Sequence, residues 1–118
     1  MKKILVVDDD MDILNVVKLL LTYHQFVVKT TWRWEVILKT VKTFTPDLIL
    51  LDIDLSGADG GDICKKLKQS KETSGVPVIL FSCHLLSKNY VKGCDAQGFL
   101  AKPFEISKLL EIIRHHLN

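Results

Sequence analysis

Five polar side chains stand at the ends of apolar runs that are far apart in the sequence. They are two adjacent acids, a third acid, a hydroxyl and a lysine: Asp8, Asp9, Asp52, Ser82 and Lys102. Carboxylate oxygens suit Mg²⁺ better than zinc, and a carboxylate can also attack a phosphoryl group. An ammonium group and a hydroxyl can stabilise phosphoryl oxygens. Brought together, these residue types predict metal-assisted phosphoryl transfer with Asp52 as the nucleophile.

Asp52 ends the most apolar of these runs, in which residues 48–51 are all aliphatic. An unbroken run of this kind is typical of a strand that is buried on both faces of a parallel sheet. A glycine-rich loop follows it directly. Open α/β sheets bind ligands at the carboxyl ends of their strands, so this position fits a functional carboxylate. By itself it fits an acid that only caps a turn equally well, and it is the convergence of the other polar strand ends that favours a functional role.

The elements that would position these residues follow from hydrophobic periodicity. The predicted strands are residues 4–7, 27–31, 47–52, 76–82 and 99–101. Helical spacing predicts a helix after each strand, with Asp10 as the cap of the first helix and only a short helix within 83–98. This alternation predicts an α/β fold with a five-stranded parallel sheet and helices on both faces. The strands' carboxyl ends would share one edge and collect the five polar residues there.

Composition narrows the functional classes. The chain has 118 residues, 47% hydrophobic and 25% charged, which predicts one globular domain over residues 1–118. A net charge of +2 is too small to indicate nucleic acid or an anionic membrane as a partner. No stretch is apolar enough to span a bilayer. Cys64, Cys83 and Cys94 lack disulfide or zinc spacing and fit a reducing compartment as small apolar side chains. We therefore expect a cytoplasmic location.

Together the motifs resemble the receiver domain of two-component response regulators. The resemblance rests on Asp8-Asp9, on Asp52 within Leu-Leu-Asp-Ile-Asp-Leu-Ser-Gly-Ala-Asp-Gly, on Ser82 after Val-Ile-Leu-Phe, and on Lys102-Pro103-Phe104. It covers essentially the whole chain, with the motifs in the family's order. It implies a flavodoxin-like sheet with strand order 2-1-3-4-5 and a site where that order reverses.

The resemblance also implies a signalling chemistry. Asp52 would accept a phosphoryl group from the phosphohistidine of a sensor histidine kinase or a phosphotransfer protein. Asp9 and Asp52 would bind Mg²⁺ directly, Asp8 largely through water, and Asp54 through its backbone carbonyl. The protein would catalyse its own phosphorylation and dephosphorylation and would not be an enzyme with a separate substrate.

Ser82 and Phe99 match the switch pair of this family. On phosphorylation the hydroxyl would move toward the phosphoryl group and the aromatic ring would turn inward. The face formed by the fourth helix, fifth strand and fifth helix would then bind a downstream protein or a second copy. The resemblance further implies a cis bond between Lys102 and Pro103.

Two positions beside the site depart from the family pattern. Ser56 stands where proline is usual, which predicts a less rigid loop after Asp52, and Cys83 replaces a small alanine.

Asp54 and His84 lie two residues after the acceptor and two after the switch hydroxyl, positions that flank the phosphoryl group in this family. If they face each other, Asp54 favours the imidazolium form of His84, and phosphate loss would depend on pH near neutrality. The alternative is two solvated side chains without this tuning role.

A second class shares part of the pattern. Asp52-Ile-Asp54 also resembles the Asp-x-Asp signature of haloacid-dehalogenase-like phosphatases, which depend on Mg²⁺. In that family the nucleophile follows the first core strand, whereas here Asp8 and Asp9 come first.

A phosphorylation-independent interaction module is a third reading, although no site residue is missing. Since the chain ends with its last helix, we expect a stand-alone receiver or a piece of a longer protein.

Overall fold

The computed structural model describes residues 1–117, which build a parallel sheet and a small hairpin. The strands in chain order are β1 (Lys3–Val7), β2 (Val27–Thr31), β3 (Leu48–Asp52), β4 (Asp54–Leu55), β5 (Ala58–Asp59), β6 (Val78–Ser82) and β7 (Gly98–Ala101). The parallel sheet has the order β2-β1-β3-β6-β7, and β4 pairs with β5 in an antiparallel hairpin. Counted over the sheet strands alone, this order is 2-1-3-4-5, so the predicted topology is confirmed.

Helices cover both faces of the sheet. They are α1 (Met11–Tyr23), α2 (Ile37–Phe44), α3 (Gly60–Gln69), α4 (Lys88–Gly93) and α5 (Ile106–Leu117), with a 3-10 turn at Trp34–Val36 before α2. Side chains of α1 and α5 pack in one core, and those of α2 and α3 pack in the other. The predicted short helix after β6 is confirmed as the six-residue α4, and the predicted cis bond joins Lys102 to Pro103.

The two cores follow from the alternation of side chains along the central strands. Ile4 and Leu50 belong to the core under α1 and α5, whereas Leu5 and Leu51 belong to the core under α2 and α3. Adjacent residues of a strand point to opposite faces of a sheet. All five residues of β3 are buried, as its continuous apolar run predicted. The central strand is therefore held from both sides up to Asp52.

Local signals set the boundaries of several elements. Asp10 is the N-cap of α1, where its carboxylate accepts hydrogen bonds from the backbone N–H groups of Asp12 at 2.9 Å and Ile13 at 3.3 Å. This confirms the predicted cap. The strand predicted over 76–82 begins instead at Val78, because Pro77 has no N–H to donate to a strand ladder.

The cysteines lie in two kinds of environment. Cys64 and Cys94 are buried, as expected for small apolar side chains, and burial raises the pKa of the Cys64 thiol to about 12. Cys83 is exposed instead, because it follows the last residue of β6 at the edge of the sheet.

Within residues 1–117, none of the helices combines the length and the apolar character needed to cross a membrane.

Gly60 lies where the backbone of α3 passes close to the end of β3. A Cβ atom at this position would lie 2.2 Å from the backbone oxygen of Asp52 and 2.5 Å from the Cα atom of Ile53. The Gly60 N–H also donates to the Ile53 carbonyl at 2.9 Å. A residue without a side chain is therefore required to bring the start of α3 against the loop after Asp52.

We expect Gly60→Ala to lower the free energy of unfolding by about 1–3 kcal/mol, because the added methyl group would overlap backbone atoms that cannot move independently. The matched control is Gly93→Ala in α4, where an added Cβ has no neighbour within 4 Å. That change should leave the free energy unchanged or raise it by up to about 1 kcal/mol. Urea unfolding of both variants measures the difference, and equal stabilities would contradict the close approach.

Candidate functional site

The carboxyl ends of four neighbouring strands define the site. Asp8 follows β1, Asp52 is the last residue of β3, Ser82 is the last residue of β6, and Lys102 follows β7. The register pairs Val7 with Leu51 and Ser82 with Ala101, which brings these strand ends to a common level. The sheet thus brings strand-end residues from distant parts of the chain to one edge, as the alternation of strands and helices predicted.

Lys102 joins the two buried acids at this edge. Its Nζ atom lies 2.6 Å from Asp8 Oδ2 and 3.4 Å from Asp52 Oδ2. The exposed fraction is 10% for the lysine side chain, 1% for Asp8 and 6% for Asp52. An ammonium group therefore lies between two carboxylates in a place that is almost closed to solvent.

Burial and charge act in opposite directions on these groups. Burial raises the pKa of Asp8, and the charge of Asp52 adds to that rise, although the hydrogen bond from Lys102 opposes it. Burial acts to lower the pKa of Lys102, but its hydrogen bond to Asp8 and the charges of both acids raise it above its ordinary value. The site therefore favours a bound positive charge beside its carboxylates.

Each of the three predicted metal-binding carboxylates also accepts a backbone hydrogen bond. Asp8 Oδ1 accepts from the Asp10 N–H at 2.9 Å, and Asp52 Oδ1 accepts from the Asp54 N–H at 3.0 Å. Asp9 Oδ2 accepts from the N–H of Ser56, in the turn between β4 and β5. Sequence reasoning missed both this hairpin and the Ser56 contact. The one available signal was a residue other than proline at position 56, which leaves an N–H free to donate.

The donor chemistry of the site fits Mg²⁺. Carboxylate oxygens from the ends of β1 and β3 are the hard ligands that this ion prefers. Burial raises the pKa of Asp8, with a smaller contribution from the charge of Asp52, and a bound cation would offset both effects. Within residues 1–117, however, no three acidic, histidine or cysteine side chains are arranged at metal-binding spacing. Lys102 contacts Asp8 and Asp52, and Asp9 is directed to Ser56. The set of metal ligands remains a prediction.

The comparison with known families is decisive for the identity of the domain. Residues 4–114 match the model of the family described as response regulator receiver domain. The chain belongs to this family. Receiver domains of response regulators are signalling domains. The phosphatase reading of Asp52-Ile-Asp54 is not supported.

Relatives and solved structures agree with this assignment. The response regulator ArlR of Staphylococcus aureus is 32% identical over 116 residues, which are 97% of this chain and 52% of ArlR. This receiver domain therefore spans about half the length of the curated relatives it matches.

Two solved structures have the same fold as this chain. The BeF3-activated N-terminal receiver domain of Klebsiella pneumoniae RstA is 28% identical, with 99% of both chains covered and a TM-score of 0.88. The chemotaxis protein CheY4 of Vibrio cholerae has a TM-score of 0.93 with 99% of both chains covered. Its 24% identity makes it evidence of the fold alone.

The two residues predicted as the receiver's switch occupy different environments. Ser82 is fully buried, and its hydroxyl oxygen accepts a hydrogen bond from the His84 backbone N–H at 2.9 Å. Phe99 is half-buried in β7 and lines a shallow groove of about 330 Å³ with Leu86 and Val91. The ring is therefore partly open to solvent, and the hydroxyl lies at the edge that holds Asp52.

The predicted tuning pair does not form an ion pair. Asp54 and His84 are both exposed, and within the part of the chain that the structure describes no salt bridge joins them. Their backbones nevertheless contact the site directly, since the Asp54 N–H donates to Asp52 and the His84 N–H donates to Ser82. The tuning role of the two side chains remains a prediction.

We expect Lys102→Met to lower the free energy of unfolding by about 3–5 kcal/mol near pH 7.5, because it leaves Asp8 buried without its cation. Without Lys102, the pKa of Asp8 in the folded protein lies further above its unfolded value. The full destabilisation therefore applies above the pKa of Asp8 in the folded protein, where Asp8 is charged. It decreases as the pH falls toward the pKa of Asp8 in the unfolded chain, so the variant should lose less unfolding free energy near pH 4.5.

The matched control is Lys42→Met, which removes a surface ion pair with Glu72 at 3.7 Å between half-exposed and exposed side chains. This change should alter the free energy by less than about 1 kcal/mol. Urea unfolding of the wild type and of both variants at the two pH values measures the change in unfolding free energy that each substitution causes. A Lys102 variant as stable as the wild type, or equally destabilised at both pH values, would contradict this account of the ion pair.

Proposed function

We propose that this chain is a phosphorylation-activated signalling receiver in which Asp52 accepts a phosphoryl group from a histidine kinase or a phosphotransfer protein. The observation that carries the proposal is the contact of Lys102 Nζ with both Asp52 and Asp8 at the strand ends. This contact places a positive charge beside the carboxylate that would become phosphorylated. The chain would catalyse its own phosphorylation and dephosphorylation rather than turn over a separate substrate.

The side chains support a direct displacement at phosphorus. A carboxylate oxygen of Asp52 would attack a phosphohistidine whose other ring nitrogen carries a proton. The P–N bond would break, and neutral imidazole would leave with the bonding electron pair. Negative charge on the transferred phosphoryl oxygens would be stabilised by the Lys102 ammonium. The Asp54 N–H holds Asp52 Oδ1, whereas Asp52 Oδ2 faces Lys102. The Ser82 hydroxyl accepts from His84 and has its own proton to donate to a phosphoryl oxygen.

Mg²⁺ is the cofactor of the proposed reaction. Asp9 and Asp52 would bind it directly, Asp8 would bind it through water, and the backbone carbonyl of Asp54 would complete the protein ligands. When bound, the ion polarises the phosphoryl group and offsets the charge of the acids. Support for this assignment comes from the donor chemistry of the carboxylates at the strand ends.

Phosphorylation would act as a shift between two conformations of the receiver. Ser82 would turn toward the phosphoryl group, and Phe99 would turn inward from the half-buried position it holds in β7. The face of α4, β7 and α5, which includes the groove at Phe99, would then bind a downstream protein or a second copy of the chain. We place this signalling step in the cytoplasm, with no direct contact to nucleic acid.

Incubation with acetyl phosphate and MgCl₂ should attach one phosphoryl group to Asp52, in an acid-stable and base-labile linkage. Asp52→Asn should incorporate none, because the amide is not a comparable nucleophile. Asp12→Asn is the matched control, since this acid is exposed and lies in the first turn of α1 rather than at the end of a strand. Intact mass and peptide mapping measure the outcome. Modification at another residue, or of the Asp52 variant, would reject the proposal.

We expect the phosphorylated half-life of the wild type to depend on pH between about pH 6 and 8, and that of His84→Ala to be independent of pH there. The reason is that imidazole changes its charge in this range and His84 is attached through its backbone to Ser82. The measurement is loss of ³²P-labelled phosphate over time in both proteins. Matching pH profiles would remove His84 from the control of phosphate loss without affecting the assignment of Asp52.

A further inference from the structure

The loop after Asp52 is attached to the end of β1 by one hydrogen bond. The backbone N–H of Ser56 donates to Asp9 Oδ2, across 47 positions of the sequence. Within residues 1–117 the Asp9 carboxylate accepts no other hydrogen bond, and its side chain is half-buried. A single backbone amide therefore determines the direction in which this carboxylate points.

The turn between β4 and β5 explains why this amide is available. Ser56 and Gly57 are its two central residues, because Leu55 pairs with Ala58 across the hairpin. Gly57 has a φ of 83°, whereas Ser56 has a negative φ. That combination is typical of a type II turn, in which the hydrogen bond of the turn joins the two flanking residues. The Ser56 N–H is not used by the turn and can donate to Asp9.

We propose that the Ser56 amide positions the Asp9 carboxylate for metal binding, so that the turn after the phosphoacceptor supports the metal site. The inference rests on the proposed function, in which Asp9 is a ligand. A carboxylate has about four lone-pair directions, so a bond to Oδ2 leaves Oδ1 for an ion. Hydrogen bonds that orient ligating side chains in advance are worth roughly 10–100-fold in metal affinity. Ser56 acts through its backbone, and its side chain is exposed.

Proline is the substitution that isolates this amide. It has no N–H, yet it is the favoured residue at the first central position of a type II turn. The preceding residue, Leu55, is already in an extended strand, as a residue before proline prefers. Ser56→Pro therefore removes the donor and keeps the turn, whereas Ser56→Ala removes only the hydroxyl and keeps the donor.

Trp34 supplies a signal for metal binding that does not require phosphorylation. An ideal Cβ on Gly57 would lie 3.5 Å from Trp34 Nε1, so the indole lies beside the turn. The sequence has one other tryptophan, Trp32, which is 56% exposed. In a Trp32→Phe background, selective excitation of tryptophan gives fluorescence from Trp34 alone, which reports on the environment of the hairpin.

The experiment is a MgCl₂ titration of the full chain in this background, without a phosphoryl donor, followed by Trp34 fluorescence. Ser56→Ala should bind Mg²⁺ within about twofold of the parent, and Ser56→Pro should bind it about tenfold or more weakly. Equal affinity in the two variants would overturn the proposal. Tighter binding by Ser56→Pro would also overturn it, because the amide would then compete with the ion.

Two further measurements keep the test decisive. In ¹⁵N-labelled protein without a proline substitution, the Ser56 amide proton should resonate downfield and move upfield in Asp9→Ala, and an unchanged shift would overturn the contact. Asp9→Ala should itself weaken Mg²⁺ binding. If it does so while the two Ser56 variants bind alike, only the positioning role fails. If Asp9→Ala binds as tightly as the parent, the metal site of the proposed function fails as well.

Discussion

The Lys102 ammonium lies 2.6 Å from Asp8 Oδ2 and 3.4 Å from Asp52 Oδ2, where the sheet closes both carboxylates off from solvent. Two carboxylates that contact the same ammonium group repel each other, and burial adds to the cost of keeping them charged. A buried ion pair of this kind rarely makes a protein more stable than an apolar core would. The arrangement is better explained by the chemistry of the site than by stability, and the rest of the domain has to compensate for it.

Backbone pairing and packing of the sheet offset the cost of burying these charged groups. Asp8 follows β1 and Asp52 ends β3, the two neighbouring strands at which the order of the sheet reverses. Every residue of β3 is buried, and its side chains alternate between two separate cores. Apolar burial on both faces holds the strand in place up to its last residue. The crowded carboxylates can therefore be kept close together by backbone pairing and packing that lie outside the site itself.

The loop after Asp52 is positioned by contacts of its backbone rather than by burial of apolar side chains. Gly60 allows the start of α3 to approach the end of β3, and the turn at Ser56 and Gly57 reaches across to Asp9. These contacts are made by backbone atoms, so they depend on which residues lack a side chain or carry an N–H. The predicted lower rigidity of this loop, which was inferred from Ser56 in place of proline, remains a prediction. The structure shows in addition that the backbone N–H of Ser56 donates a hydrogen bond to Asp9.

Patterns within the sequence were enough to predict the alternation of strands and helices, the buried central strand, the cap at Asp10 and the strand ends that meet at one edge. These features are readable because hydrophobic periodicity and capping are local, and because parallel strands must share the edge at which they end. The folded structure was needed to show that Lys102 contacts both Asp8 and Asp52, and that Asp9 accepts a hydrogen bond from Ser56. Such contacts join residues that are distant in sequence, and they depend on differences of an ångström in packing that no local pattern encodes.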